Sequence, residues 1–378
     1  MTADSIKRRL RSAAATDQPF ETALTLPGFV YHDTELFQRE LSGLFGDWVC
    51  VGHVAALDEA GSSRVVDIGA DSIIITCDRE AGLNAFHNVC RHRGTRLLNV
   101  NEAPCRHIVC PYHAWRYGND GQLKNAPGMD GRPGFSAADH ALQPVRVETL
   151  LGFIFVCLND GRPALDKFFP DLPDLSAFGL ERLQRGAMHD YNVAGNWKLI
   201  CENYNECYHC PGAHPQLHRL SNDADLPEFD HRGKNFTGGP MRINAPFASM
   251  TRDGQSGRPL LPGFDGQRAD LVFYFNLFPN LLLSIAPDYA MAHYILPRAP
   301  DATYVQTEWL FAAQAMAEPD FDPSDAVEFW DQTNRQDWAL CENAQRGLAS
   351  SGHRSGPYHP LERCVHDFDR WYLRTISA

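Results

Sequence analysis

The sequence predicts an α+β chain of two successive domains: a small all-β unit, then a larger domain built on an antiparallel sheet and a long C-terminal helix. Three observations predict it. Short apolar runs broken by Gly, Asp and Asn recur over residues 48–88 and again at 152–157, the pattern of small antiparallel strands. Four more apolar and aromatic runs follow one another over 273–312. A helical pattern then covers 323–348, with Asp322 placed as N-cap, Pro323 at the first helical position and Gly347 near the end.

Taken in order, residues 1–45 are an N-terminal segment, polar to about residue 20, with an amphipathic helix predicted over 34–46 from Leu36, Phe37, Leu41, Leu44 and Phe45. Residues 46–160 are the β unit, with strands predicted at 48–54, 63–68, 72–77, 83–88 and 152–157. Residues 161–187, rich in Pro, Asp and Leu, read as a linker with short helical pieces. Residues 188–378 form the second domain. It opens on a strand at 191–193 and a helix at 197–209 that Pro211 and Gly212 end. Long loops are predicted over 220–270, then strands at 273–278, 281–285, 291–296 and 305–312 before the long helix.

Composition narrows the function classes. With 44 % hydrophobic and 21 % charged residues the chain is ordinary for a globular protein, and 378 residues are enough for two cores. A formal net charge of -13 argues against nucleic acid or an anionic membrane as partner. The basic run from Lys7 to Arg11 is not followed by an apolar stretch, and no segment has the apolar length of a membrane span. The 11 cysteines are an odd number without a disulfide-like framework, which points to a reducing, cytoplasmic setting. Cys50, Cys77 and Cys157 sit in strand-like runs as small buried hydrophobes, and Cys105 is a bystander.

The chemistry sits in two places. Cys90 and His92, then Cys110 and His113, make two mixed pairs, C-x-H and C-x-x-H. Structural zinc sites favour Cys–Cys and His–His pairs, whereas mixed pairs let each loop reach both irons of a [2Fe–2S] cluster with two thiolates on one iron and two imidazoles on the other. Gly94 and Pro111 shape the loops, and Tyr112, Trp115 and Tyr117 supply an aromatic shield. Further on, His209 and His214 stand five apart around the Pro211-Gly212 break. Two imidazoles and one carboxylate complete a facial triad for non-haem Fe(II), leaving positions open for O2. Glu202, Glu206 and Asp337 are the carboxylate candidates, and spacing does not choose between Glu206 and Asp337. A cluster that carries electrons and an iron that uses them fit one enzyme, which disfavours a protein that only transfers electrons.

These motifs resemble those of the Rieske non-haem iron oxygenases, in their α (oxygenase) subunit, over almost the whole chain. The stretch from Cys90 to Trp115 is similar to the family's Rieske motif, with Ala114 where the family usually has Gly. The stretch from Asn196 to Pro215 is similar to its mononuclear iron motif. The resemblance implies a Rieske domain followed by a helix-grip catalytic domain, with Cys90, His92, Cys110 and His113 on the [2Fe–2S] cluster and His209, His214 and Asp337 on Fe(II). It implies that Glu206 bridges electrons between subunits. Most ring-hydroxylating members have Asp there, and Glu is similar to the branch acting on carnitine, stachydrine and glycine betaine. It further implies a small-molecule substrate, O2, a separate NAD(P)H-dependent flavin/iron–sulfur reductase and a homotrimer. For a quaternary ammonium substrate Tyr204 is the foremost pocket residue, with Phe273, Phe275, Tyr289, Tyr294 and Trp309 as further aromatics, most of which belong to the core. The competing expectation is a ring-hydroxylating dioxygenase or O-demethylase for an aromatic acid.

Overall fold

The structure is a computed structural model that describes residues 9–57, 61–78, 82–99, 102–104, 107–222 and 231–377. Lys7 and Cys105, singled out above, lie outside the described residues. The chain divides into two compact units, Phe45–Leu165 and a second made of Met1–Leu44 with Asp166–Ala378.

The first unit is all β. Strands β1 (Trp48–His53), β2 (Ser62–Ile68), β3 (Asp71–Cys77), β4 (Leu83–His87) and β5 (Glu102–Pro104) are followed by the short β6 (Ile108–Val109), β7 (Arg116–Tyr117) and β8 (Leu123–Asn125), then β9 (Pro144–Leu150) and β10 (Phe153–Cys157). One antiparallel sheet runs β1-β10-β9-β4-β3-β2-β5, and β6-β7-β8 form a second. The strands expected in this stretch are present, β5 to β9 are additions, and β9 is the longest of these. Its alternation of Val145, Val147 and Thr149 with Arg146 and Glu148 is a strand pattern that the leading proline and the charges obscured. Cys50, Cys77 and Cys157 are buried.

The second unit is an antiparallel sheet gripping a helix. Its strands are β11 (Leu183–Val193), β12 (Ser221–Asn222), β13 (His231–Gly233), β14 (Phe236–Ile243), β15 (Leu271–Leu277), β16 (Leu281–Ala286), β17 (Tyr289–Ala299) and β18 (Ala302–Ala312). They run in the order β11-β18-β17-β16-β15-β14-β12, with β13 beside β14. The helices that matter are α1 (Thr34–Gly43), α2 (Trp197–Tyr204), α3 (Cys210–Ala213), α4 (Pro215–Leu220), α5 (Ser324–Leu348) and α6 (Arg363–Ser377). Helix α5 buries Ala326, Trp330, Thr333, Asn334, Trp338, Cys341 and Gln345, a stripe recurring every three or four residues. Asp322 accepts from Ser324 N at 2.9 Å just ahead of it, while Pro323 holds the N-cap position itself.

Several expectations change, beginning with the strand predicted at 191–193, which is the longer β11 and starts inside the expected linker. The helix predicted over 197–209 stops at Tyr204, with Asn205 as its C-cap. The Asn205 side chain is taken by Thr237, and Glu206 accepts from the His209 N–H, so the chain turns before a new helical turn starts at Cys210. The loops expected over 220–270 contain β14. Its Gly238, Gly239 and Pro240 read as a turn, yet at Gly238 a Cβ would lie 2.2 Å from Tyr274 O, so glycine is there for close strand approach. Cys207 and Cys210 form a disulfide, where no pairing was expected. The polypeptide also does not end on α5, because α6 follows it. Lys198 anchors this corner: fully buried, it pairs with Glu40 of α1 at 2.8 Å, and Glu40 also accepts from Trp197 Nε1 and from Tyr372 Oη of α6. Removing one member of such a buried pair costs about 3–5 kcal/mol, so three helices are held by one charge pair.

Candidate metal centres

The two cysteine–histidine loops of the first unit are built alike. In one, Cys90 N donates to Thr95 O (2.8 Å) and Gly94 N to Cys90 O (3.0 Å). In the other, Cys110 N donates to Trp115 O (2.8 Å) and Ala114 N to Cys110 O (3.0 Å). Each needs a left-handed residue four places after its cysteine, which Gly94 supplies at φ +72° and Ala114 at φ +56°. The family preference for Gly at that place follows from this turn.

The loops bring Cys90, His92, Cys110 and His113 to one end of the unit. Both thiols are buried in an apolar cluster with Ile74, Ile108, Trp115 and Tyr117, whereas both imidazoles are exposed, their ring centres 4.7 Å apart. His92 stacks on Trp115 and His113 on Tyr112. Tyr117 Oη lies 3.4 Å from Cys90 Sγ and accepts from Arg91 N at 3.1 Å. Burial pushes the Cys90 thiol up. Cys110 is held below its ordinary value because the N–H groups of Tyr112 and His113 aim at its sulfur and outweigh burial. Thiols inside and imidazoles outside are the donor arrangement a [2Fe–2S] cluster with a histidine-bound outer iron requires.

In the second unit His209, His214 and Asp337 offer one donor atom each, all within 4.8 Å of one another. Asp337 Oδ1 is 3.2 Å from His209 Nε2 and 2.7 Å from His214 Nε2. Asp337 stands on the buried stripe of α5, which brings it to the turn carrying the two histidines. The other ring nitrogens face outward to acceptors: His209 Nδ1 meets Glu206 Oε1 at 2.5 Å and His214 Nδ1 meets Gln336 Oε1 at 2.8 Å. Such partners fix which nitrogen is free for metal and how the ring is turned. Burial disfavours charge on His209, but Asp337 and Glu206 overcome it and push the ring up to about 9. Burial would raise Asp337, yet the two imidazoles hold it below the usual carboxylate range. The donor set fits a divalent iron with open positions.

The geometry separates the carboxylates that spacing left open. Glu206 addresses the outer nitrogen of His209, Asp337 the inner nitrogens of both rings. Glu202 faces elsewhere, accepting from Tyr31 Oη at 2.7 Å.

A cavity of about 380 Å³ lies against this triad. Tyr204 lines it, its hydroxyl 2.9 Å from Ser284 Oγ. Of the six aromatics singled out in the sequence only Tyr204 reaches it. Phe273 and Phe275 alternate to the other face of β15, while Tyr289, Tyr294 and Trp309 are core residues. The cavity takes Tyr274, between those two phenylalanines, with Trp330 and Trp338 from α5 and His293 from β17. Neighbouring rings meet nearly edge to face: Trp330 with Tyr274 at 74°, Tyr274 with Tyr204 at 76°, Tyr204 with His293 at 79° and His293 with Trp338 at 82°. Burial pushes His293 down to about 4, so this wall is uncharged at neutral pH. Sequence reasoning also missed Asn203, whose Nδ2 lies 3.4 Å from His209 Nε2, and Gln336, although its place beside Asp337 was a usable signal.

Comparison with known proteins identifies both domains. Residues 180–378 match the ring hydroxylating alpha subunit (catalytic domain) family, and residues 47–144 match the Rieske [2Fe-2S] domain. The glycine betaine monooxygenase oxygenase subunit of Chromohalobacter salexigens is 33 % identical over 94 % of this chain and 86 % of its own. The carnitine monooxygenase oxygenase subunit of Escherichia coli strain K12 is 29 % identical over 88 % of this chain and 87 % of its own. The structure of the quaternary ammonium Rieske monooxygenase CntA in complex with an inhibitor superposes with a TM-score of 0.80 at 25 % identity, covering 96 % of this chain and 98 % of that one. Among the described residues no helix is long and apolar enough to cross a membrane. The chain therefore belongs to the ring-hydroxylating alpha subunit family and is a Rieske-type oxygenase, an enzyme with a [2Fe–2S] domain ahead of a catalytic domain of the kind that binds mononuclear iron.

Proposed function

We propose that this chain is the oxygenase component of a monooxygenase that hydroxylates, and thereby N-demethylates, a quaternary ammonium compound of the glycine betaine, carnitine or proline betaine type. The observation that carries this reading is the set of aromatic rings beside His209, His214 and Asp337. A fully methylated ammonium has no N–H to donate, so recognition falls to ring faces and to nearby negative charge. Tyr204, Tyr274, Trp330 and Trp338 turn ring faces and edges into one cavity, and neutral His293 adds no repulsion. The names of the glycine betaine and carnitine relatives support the same substrate class.

In this reading Cys90, His92, Cys110 and His113 hold the [2Fe–2S] cluster, and His209, His214 and Asp337 hold Fe(II). When bound, the cluster supplies electrons one at a time and the iron activates O2. The chain's own residues do the rest. Glu206 fixes the His209 ring through Nδ1 and serves as the electron bridge to a cluster histidine of a neighbouring subunit. Gln336 fixes His214 in the same way. The aromatic walls hold one N-methyl group towards the triad and exclude water. One C–H of that methyl becomes C–OH with one atom of O2, and the other oxygen leaves as water with two electrons and two protons. The C–N bond of the N-hydroxymethyl group then breaks, the electron pair staying on nitrogen and the hydroxyl proton going to solvent, which yields formaldehyde and the tertiary amine. A separate flavin/iron–sulfur reductase draws the electrons from NAD(P)H, and the working unit is a homotrimer in which they cross between neighbours.

The test is a substrate panel with the purified protein, a flavin/iron–sulfur reductase and NADH. Glycine betaine, carnitine, choline and stachydrine are set against benzoate and vanillate. A methylammonium compound that drives NADH oxidation and releases formaldehyde supports the reading. Turnover of benzoate or vanillate with every methylammonium inert overturns it.

A further inference from the structure

The cavity has a second chemical end. Tyr274 and Asn276 lie two residues apart on β15, on one face of the sheet, and both line the cavity. Asn276 is the cross-strand partner of Thr237 on β14. Thr237 Oγ1 donates to Asn205 Oδ1 at 3.0 Å, so the Asn205 amide also belongs to this corner and lines the cavity. Asn205 Nδ2 has no hydrogen-bond partner among the described residues, the Asn276 amide has none there besides the Cys201 thiol, and Asn276 is 1 % exposed. The neighbouring Cys201 thiol, which the Asn276 side chain influences, is a weak partner, and its Sγ is directed to Pro279 O at 3.7 Å. Buried amides without partners are rare in native proteins, because each forfeits its hydration and gains nothing in return. Two of them, side by side on a cavity wall, describe a place for a polar group of the ligand.

We propose that Asn205 and Asn276 form a carboxylate-binding subsite, so that the substrate is a zwitterion with its methylated ammonium among Tyr204, Tyr274, Trp330 and Trp338 and its carboxylate on the two side-chain amides. The proposal rests on the quaternary ammonium reading above and narrows it. The acceptor of Asn205 is already used by Thr237, so whatever reaches this residue must itself accept. A carboxylate presents two oxygens, one for each amide, whereas a single hydroxyl presents one. Among the described lining residues the only guanidinium is that of Arg363, which lies over the Phe20 ring and 3.8 Å from Glu21. Neutral donors therefore receive the carboxylate, which suits a ligand whose two charges already balance. Two residues of strand separate the aromatic and amide ends by about 7 Å, within reach of a short methylammonium acid.

The experiment measures dissociation constants on the holoprotein by calorimetry for glycine betaine, carnitine and tetramethylammonium. The last carries the cation without a carboxylate. Asn276→Asp, nearly isosteric, sets a negative charge against the carboxylate, and Asn276→Leu removes the donor in a form that protonation cannot rescue. Both variants are expected to weaken the zwitterions about tenfold or more, the size of a lost hydrogen bond to a charged group, while tetramethylammonium binds as it does to the parent. That retained binding also shows that the variants are folded. An unchanged ratio of zwitterion to tetramethylammonium affinity in both variants overturns the subsite. A parent protein that binds none of the three compounds overturns the quaternary ammonium reading itself, and the subsite with it.

Discussion

Ala114 holds a backbone conformation that glycine adopts freely: φ +56°, at the place where the sister loop has Gly94 at φ +72°. An L-residue pays about 1 kcal/mol for that region, so Ala114→Gly is expected to raise the stability of the cluster-loaded protein by about 1 kcal/mol, read from urea unfolding. An unchanged or lower midpoint contradicts the turn's assigned role. At this scale the candidate metal ligands were legible as sets because ligand chemistry is written in short spacings. Cys90, His92, Cys110 and His113 needed no fold to be recognised as a set. The carboxylate of the candidate iron site was not legible from spacing, because Asp337 arrives from a helix more than a hundred residues away in sequence. The pocket aromatics were the least legible. Phe273, Tyr274 and Phe275 are consecutive, and only the side-chain alternation of β15, which a one-residue register shift would invert, turns Tyr274 alone into the cavity.

At the scale of elements, strands with continuous apolar runs were readable to within a residue or two, as β2, β3 and β16 show. Those carrying turn-like or polar residues were not, as β9, β11 and β14 show. Helix α6, absent from the expected fold, carries a legible helical stripe of Val365, Phe368, Tyr372 and Ile376. This helix also carries Asp369, which accepts from Tyr358 Oη at 2.6 Å and lies against Glu202 of α2. Burial pushes Asp369 up to about 7 from an ordinary value of 3.8, and burial with the Asp369 charge raises Glu202 as well. The folded protein thus keeps a proton that the unfolded chain has lost. Its stability should fall as pH rises from about 4 through about 7, with Glu202 adding to the loss as it too is made to ionise. Asp369→Asn removes this penalty. Its thermal midpoint should exceed that of the parent at pH 8 and converge with it near pH 4. A gain of equal size at both values rules out the buried acid as its source.

The whole molecule reads as two centres with a division of labour. One unit buries two thiols and exposes two imidazoles. The other aims two imidazoles and a carboxylate at one point beside an aromatic cavity. The connection proposed between them runs through Glu206, which lies against the outer nitrogen of His209 and would reach a cluster histidine of the neighbouring subunit. Glutamine at that position keeps the size but lacks the charge, and leaves the metal donors untouched. The most direct measurement is therefore cluster reoxidation in Glu206→Gln: the holoprotein is reduced, freed of reductant and mixed with O2 and glycine betaine or carnitine while the cluster absorbance and formaldehyde are followed. The account predicts that the parent reoxidises its cluster as formaldehyde appears, and that the variant, with both metals bound, does both far more slowly. Reoxidation and formaldehyde release at the parent's rate in the variant would contradict it.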